Sequence, residues 1–107
     1  MNEAQFQNTV IDLALALGWR VHHQRPALRS DGRWVSAIQG ETGYPDLLML
    51  RGDKCVVAEL KSATGKLSDA QYDWLRAFGD AGVDAYTWFP QDLGPTVEES
   101  VIMEVLR

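Results

Sequence analysis

At 107 residues the chain is long enough for one domain with one real core, and its 46% hydrophobic content is that of a folded protein rather than a disordered tail. A formal net charge of −5 argues at first against a nucleic-acid partner, and no apolar run approaches membrane-spanning length. Met1-Asn2-Glu3 opens neither a basic region nor an apolar signal core, and the single Cys55 excludes an internal disulfide, so an intracellular protein in a reducing compartment, with no membrane partner, is expected.

Residues 3–17 read as an amphipathic helix. Asn2 is its N-cap, Phe6, Val10, Leu13, Ala14 and Leu17 follow helical spacing, and Gly18 ends it. Glu3 falls on nearly the same face as Val10, Ala14 and Leu17, so it can point inward. Residues 19–24 read as a strand stopped by Pro26. Within it His22 and His23 point to opposite faces and cannot jointly hold one metal. Residues 25–43 form a long irregular stretch with Arg25, Arg29, Arg33 and Trp34, a turn signal at Asp31-Gly32 and a short strand over 35–38. A loop of this length is typically functional or disordered. Arg33 and Trp34 could clasp or stack on an unpaired base, with loop packing as the alternative.

Two apolar runs follow, 47–51 and 54–60, suited to strands in a sheet interior and joined at Gly52-Asp53. After a loop with Gly65 and Lys66, Ser68-Asp69-Ala70-Gln71 has the form of a capping box. The helix it opens carries Trp74, Leu75 and Phe78 and stops near Gly82. Residues 83–89 read as a buried strand and 90–95 as a turn. Thr96 and Glu99 form a second capping box, opening a final helix with Val97, Val101, Ile102, Val105 and Leu106. The order is α-β-β-β-α-β-α: one α/β domain over residues 1–107, with a mixed sheet and helices on both faces.

The chemistry concentrates at Pro45-Asp46 and, after twelve residues, Glu59-Leu60-Lys61. Charged side chains at the ends of core strands are expensive unless they are paired or bind a metal. If Gly52-Asp53 is a two-residue turn, Arg51 faces Lys54, and the same count sets Asp46 directly opposite Glu59. They form a non-hydrogen-bonded pair with Cα atoms roughly 4.5 Å apart. Lys61 then points to the same face. Like charges opposite one another destabilise a sheet, and a divalent cation between them removes that penalty. The competing reading is a structural salt bridge at a sheet edge. Charge segregation fits a polyanionic partner: residues 20–66 hold eight of the ten Lys and Arg against five acids.

Gly43-Tyr44-Pro45-Asp46-Leu47 followed by Ala58-Glu59-Leu60-Lys61 resembles the PD-(D/E)xK nuclease signature. With the Glu3 helix, Gly65, Ser68, Gln71, Trp74 and Gly82 around it, the chain over about residues 3–89 resembles the VRR-NUC (virus-type replication-repair nuclease) domain in its short stand-alone form. The resemblance implies a restriction-endonuclease-like fold and Mg²⁺- or Mn²⁺-dependent cleavage of DNA. It also implies action on branched DNA in the manner of a Holliday-junction resolvase, and a homodimer. The alternatives are a flap or restriction-type nuclease, or a catalytically silent DNA-binding module. Carried over by position, Asp46 and Glu59 would bind the metal with the Leu60 carbonyl, and Lys61 would orient or deprotonate the attacking water. Glu3 would be an additional acid, and Gln71 the helix residue near the site. Each has a structural alternative, a helix N-terminal charge for Glu3 and the capping box for Gln71. Arg25, Arg29, Arg33 and Lys66 are the candidate DNA contacts.

Overall fold

Asn2 opens the first helix, α1 (Glu3–Ala16): its side chain accepts from the Gln5 N–H, and the Gln5 side chain accepts from the Asn2 N–H, closing a capping box. The structure is a computed structural model that describes residues 1–24, 27–28, 30–35 and 39–107. After α1 come β1 (Arg20–His23), β2 (Ala27–Leu28), β3 (Trp34–Val35), β4 (Leu47–Arg51), β5 (Lys54–Leu60), α2 (Asp69–Asp80), β6 (Asp84–Trp88) and α3 (Val101–Leu106). Single 3₁₀ turns at Pro90–Leu93 and Val97–Glu99 lead into α3. Gly18, at φ +89°, takes the left-handed position that ends α1.

The main sheet runs β1-β4-β5-β6. β1 and β5 flank β4 antiparallel, and β6 pairs β5 in parallel after the α2 crossover. Gly52 has φ +61° while Asp53 has no positive φ, as a type II′ hairpin requires. Arg51 therefore faces Lys54, and the ladder runs in that register to Leu47↔Ala58. β2 and β3 make a separate ribbon, Ala27↔Val35 and Leu28↔Trp34. The short strand expected over 35–38 begins one residue earlier, and residues 36–38 lie outside the described part, as do Arg25 and Arg29.

Alternation sorts the strands into two faces. Leu47, Met49, Val56, Ala58, Leu60 and Trp88 turn to one face and pack with Phe6, Val10 and Ala14 of α1 and with Ile102 and Leu106 of α3. The opposite face carries Val57, fully buried, and α2 packs over β5 and β6. Arg51 ties the ends of three elements together. Its Nη1 donates to the Leu17 carbonyl (3.0 Å) and the Leu106 carbonyl (2.8 Å), and its Nη2 to the Arg107 carbonyl (2.9 Å). Its guanidinium lies 4.5 Å from the Trp19 ring centroid, and Trp19 Nε1 donates to the same Leu106 carbonyl. A cation suits the negative ends of two helices.

The last helix starts differently from the expected Thr96/Glu99 box. The Thr96 side chain caps nothing, and Val97–Glu99 is one 3₁₀ turn. Ser100 is the N-cap: its Oγ accepts from the Met103 N–H at 3.0 Å and donates to the Val97 carbonyl. Two potential caps four residues apart compete, and the buried one wins because its hydroxyl has both partners in place. Among the described residues no helix is long and apolar enough to cross a membrane.

Candidate nuclease centre

Pro45 ends the β4–β5 ladder. It has no N–H to donate, so the carbonyl of the residue opposite it, Leu60, loses its ladder donor on that side. The Leu60 N–H turns to the Asp46 carboxylate, whose Oδ2 accepts from it at 2.8 Å. In a strand the N–H and C=O of one residue point the same way, so the Leu60 carbonyl also faces the Asp46 side, where Pro45 offers no donor. Continuing the ladder's register by one residue sets Asp46 opposite Glu59. His23 fixes the backbone here, its Nδ1–H donating to the Asp46 carbonyl at 3.0 Å.

Glu59 is 3% exposed. Its Oε1 accepts from Gln71 Nε2 at 2.9 Å and lies 3.8 Å from the Lys61 ammonium. Its Oε2 is buried and, among the described residues, accepts no hydrogen bond from any donor. Burial first, and then the Asp46 carboxylate beside it, push the Glu59 carboxyl up from 4.5 to about 8, against the pull of Lys61. Gln71 links cap and carboxylate: its Oε1 accepts from the Ser68 N–H at 3.0 Å, while Ser68 Oγ accepts from the Gln71 N–H at 3.1 Å.

A family model for the VRR-NUC domain matches residues 23–88. The chain belongs to the VRR-NUC family. A solved structure described as a VRR-NUC domain is 24% identical, with a TM-score of 0.57 over 79% of this chain and 81% of that one, a likeness that bears on the fold. The mixed sheet with helices on both faces fits the restriction-endonuclease-like fold. Among curated proteins none matches the chain. Family membership makes this a nuclease-type DNA-processing domain.

In this VRR-NUC domain Asp46, Glu59, Lys61 and Gln71 converge on one sheet face, whereas Glu3, Arg33 and Lys66 make no hydrogen bond or ion pair with that group among the described residues. Glu3 is exposed, with no hydrogen bond or ion pair to that group among the described residues. The buried stripe of α1 begins only at Phe6, so the first turn overhangs the core and leaves Glu3 in solvent. Arg33 is held by Asp31 across the turn between β2 and β3, with Nε 3.2 Å from Oδ2. Lys66 is exposed in the loop after β5. Among the described residues no three His, Cys, Asp or Glu side chains gather as a metal group. A metal here would take two carboxylates and backbone or water oxygens, the hard donors that Mg²⁺ prefers.

Sequence reasoning missed His23 and Trp74 as positioning residues. Trp74 Nε1 donates to the Thr42 carbonyl at 3.0 Å and so ties the segment ahead of Asp46 to α2. Gly43 completes that contact: at φ +97°, a Cβ would stand 2.6 Å from the Ala70 backbone carbon. Both contacts join residues far apart in the chain, and no local pattern announces them.

Proposed function

We propose that the chain is a metal-dependent DNA endonuclease that hydrolyses phosphodiester bonds at Asp46, Glu59 and Lys61. Branched DNA, with Holliday junctions as the type, is its substrate. The observation that carries this reading is Glu59 Oε2: a buried carboxylate oxygen with no donor among the described residues, next to a second carboxylate, is the environment a hard cation satisfies. Asp46, Glu59 and the Leu60 carbonyl would hold Mg²⁺ or Mn²⁺. When bound, the ion acidifies a water and offsets charge on the scissile phosphate.

The remaining work falls to the chain's own side chains. Leu60 N–H holds one Asp46 oxygen and leaves the other for binding. Gln71 fixes the Glu59 carboxylate from the helix side. Lys61 brings a positive charge to the phosphate and orients the attacking water. Symmetric cleavage of two strands needs two such centres and the chain carries one, which supports a homodimer.

The test compares four-way junction, flap, single-stranded and linear duplex DNA, each with Mg²⁺ and with EDTA. Preferential, Mg²⁺-dependent cutting of the junction is expected. Preferential cutting of the flap or linear duplex replaces the junction assignment, and cutting in EDTA overturns the metal.

A further inference from the structure

Beside the Asp46–Glu59 pair lies a cavity of about 420 Å³, within the roughly 300–1,000 Å³ range of small-ligand pockets. His22, Gln24, Gln39, Glu41, Tyr44 and Trp74 supply its side-chain lining. Its position follows from the sheet. The β1–β4 ladder ends at His23↔Leu47, and one more residue in that register sets Gln24 opposite Asp46. Neighbouring strands lie about 4.8 Å apart, so the cavity wall adjoins the candidate centre.

The lining selects one part of a nucleotide. It contains no Lys or Arg among the described residues, and the Glu41 carboxylate repels a phosphate, so the backbone is not what enters. Gln24 and Gln39 each present an amide donor and an amide acceptor, the complement of a base edge. Tyr44, 39% exposed, offers an aromatic ring that is itself braced edge-on by Trp74 at 5.2 Å and Phe78 at 5.8 Å. A braced aromatic flanked by amides suits a nucleobase, which stacks by its face and is read by its edge. A base inside a duplex exposes neither its face nor its pairing edge, so only an unpaired one fits.

We propose that this cavity receives one unpaired nucleobase of the DNA strand whose phosphodiester lies at Asp46 and Glu59, and so selects strands that depart from continuous duplex. The inference rests on the proposed nuclease centre and deepens it.

The experiment measures equilibrium binding by fluorescence anisotropy, in EDTA, of a labelled duplex carrying a single-stranded arm. An abasic residue replaces each arm nucleotide in turn. One position is expected to weaken binding roughly 5-fold or more, the scale of losing one stacked base. The double variant Gln24→Ala/Gln39→Ala, with both changes at exposed positions, is expected to keep its melting temperature and to show a smaller dependence on position, since it loses the edge contacts and keeps the Tyr44 ring. A flat abasic scan by a protein that still binds DNA overturns the base pocket and leaves the nuclease centre standing. The same sensitive position persisting undiminished in the double variant also overturns the pocket. A wild-type protein that does not bind DNA in EDTA overturns the pocket, and one that also fails to cut it with Mg²⁺ overturns both.

Discussion

Glu59 sits under opposing influences: burial and Asp46 raise its pKa, while Lys61 and Gln71 favour the ionised form. With its carboxyl raised to about 8 in the fold, the native state holds a proton that the unfolded chain releases above about 4.5. Without metal, stability is therefore lost as pH rises through that window, opposite in sign to a salt-bridged carboxylate. Urea unfolding in EDTA from pH 5 to 8.5 is expected to show wild type weakening relative to Glu59→Gln, which keeps the Gln71 contact and has no charge to bury. Gln71 allows a second separation at this scale. Ser68→Ala removes one half of the capping box and is expected to cost about 1 kcal/mol of stability while cleavage stays within a few-fold. Gln71→Ala is expected to cost a similar amount of stability and to slow cleavage at least tenfold, because Glu59 loses its fixed partner. Equal cleavage by the two variants would reduce Gln71 to a cap. The sequence exposed the cap because a capping box is a local pattern. The bond from Gln71 to Glu59 was not legible as geometry, because it spans the packing of a helix on a sheet.

Among the elements, the central hairpin was the most legible. A two-residue turn with Gly first admits one register, and everything from Arg51↔Lys54 to Leu47↔Ala58 follows from it. The α3 start was misread because Thr96 and Ser100 offer similar local signals, and burial chose between them. The segment before Asp46 was illegible for another reason: its shape depends on α2. Gly43→Ala is expected to lose about 1–3 kcal/mol from backbone strain alone, with the Ala70 clash in addition. Circular dichroism melts measure the stability, and cleavage should fall as Asp46 is displaced. Trp74→Phe, which keeps the ring and loses the Thr42 bond, is the milder companion.

At the scale of the whole molecule, Arg51 joins α1, β4 and α3 through three charge-assisted hydrogen bonds. Sequence showed only a strand-end arginine, since its partners are backbone carbonyls whose positions depend on the complete fold. Arg51→Ala is expected to lower stability by about 2 kcal/mol, and Arg51→Lys to recover less than half of it, because an ammonium cannot span the carbonyls as the planar fork does. The order α-β-β-β-α-β-α was legible from periodicity and turn residues, and the β2–β3 ribbon is an insertion that leaves the main sheet intact. Two carboxylates and a lysine, drawn together by one hairpin, are the proposed hydrolytic metal centre. Single-turnover cleavage of a four-way junction with Mg²⁺, by wild type and Asp46→Ala side by side, tests it most directly. Cutting by wild type and a loss of at least about 100-fold, some 2.7 kcal/mol in barrier, in the variant are expected. Intact DNA with both proteins, or equal cutting by both, would contradict it.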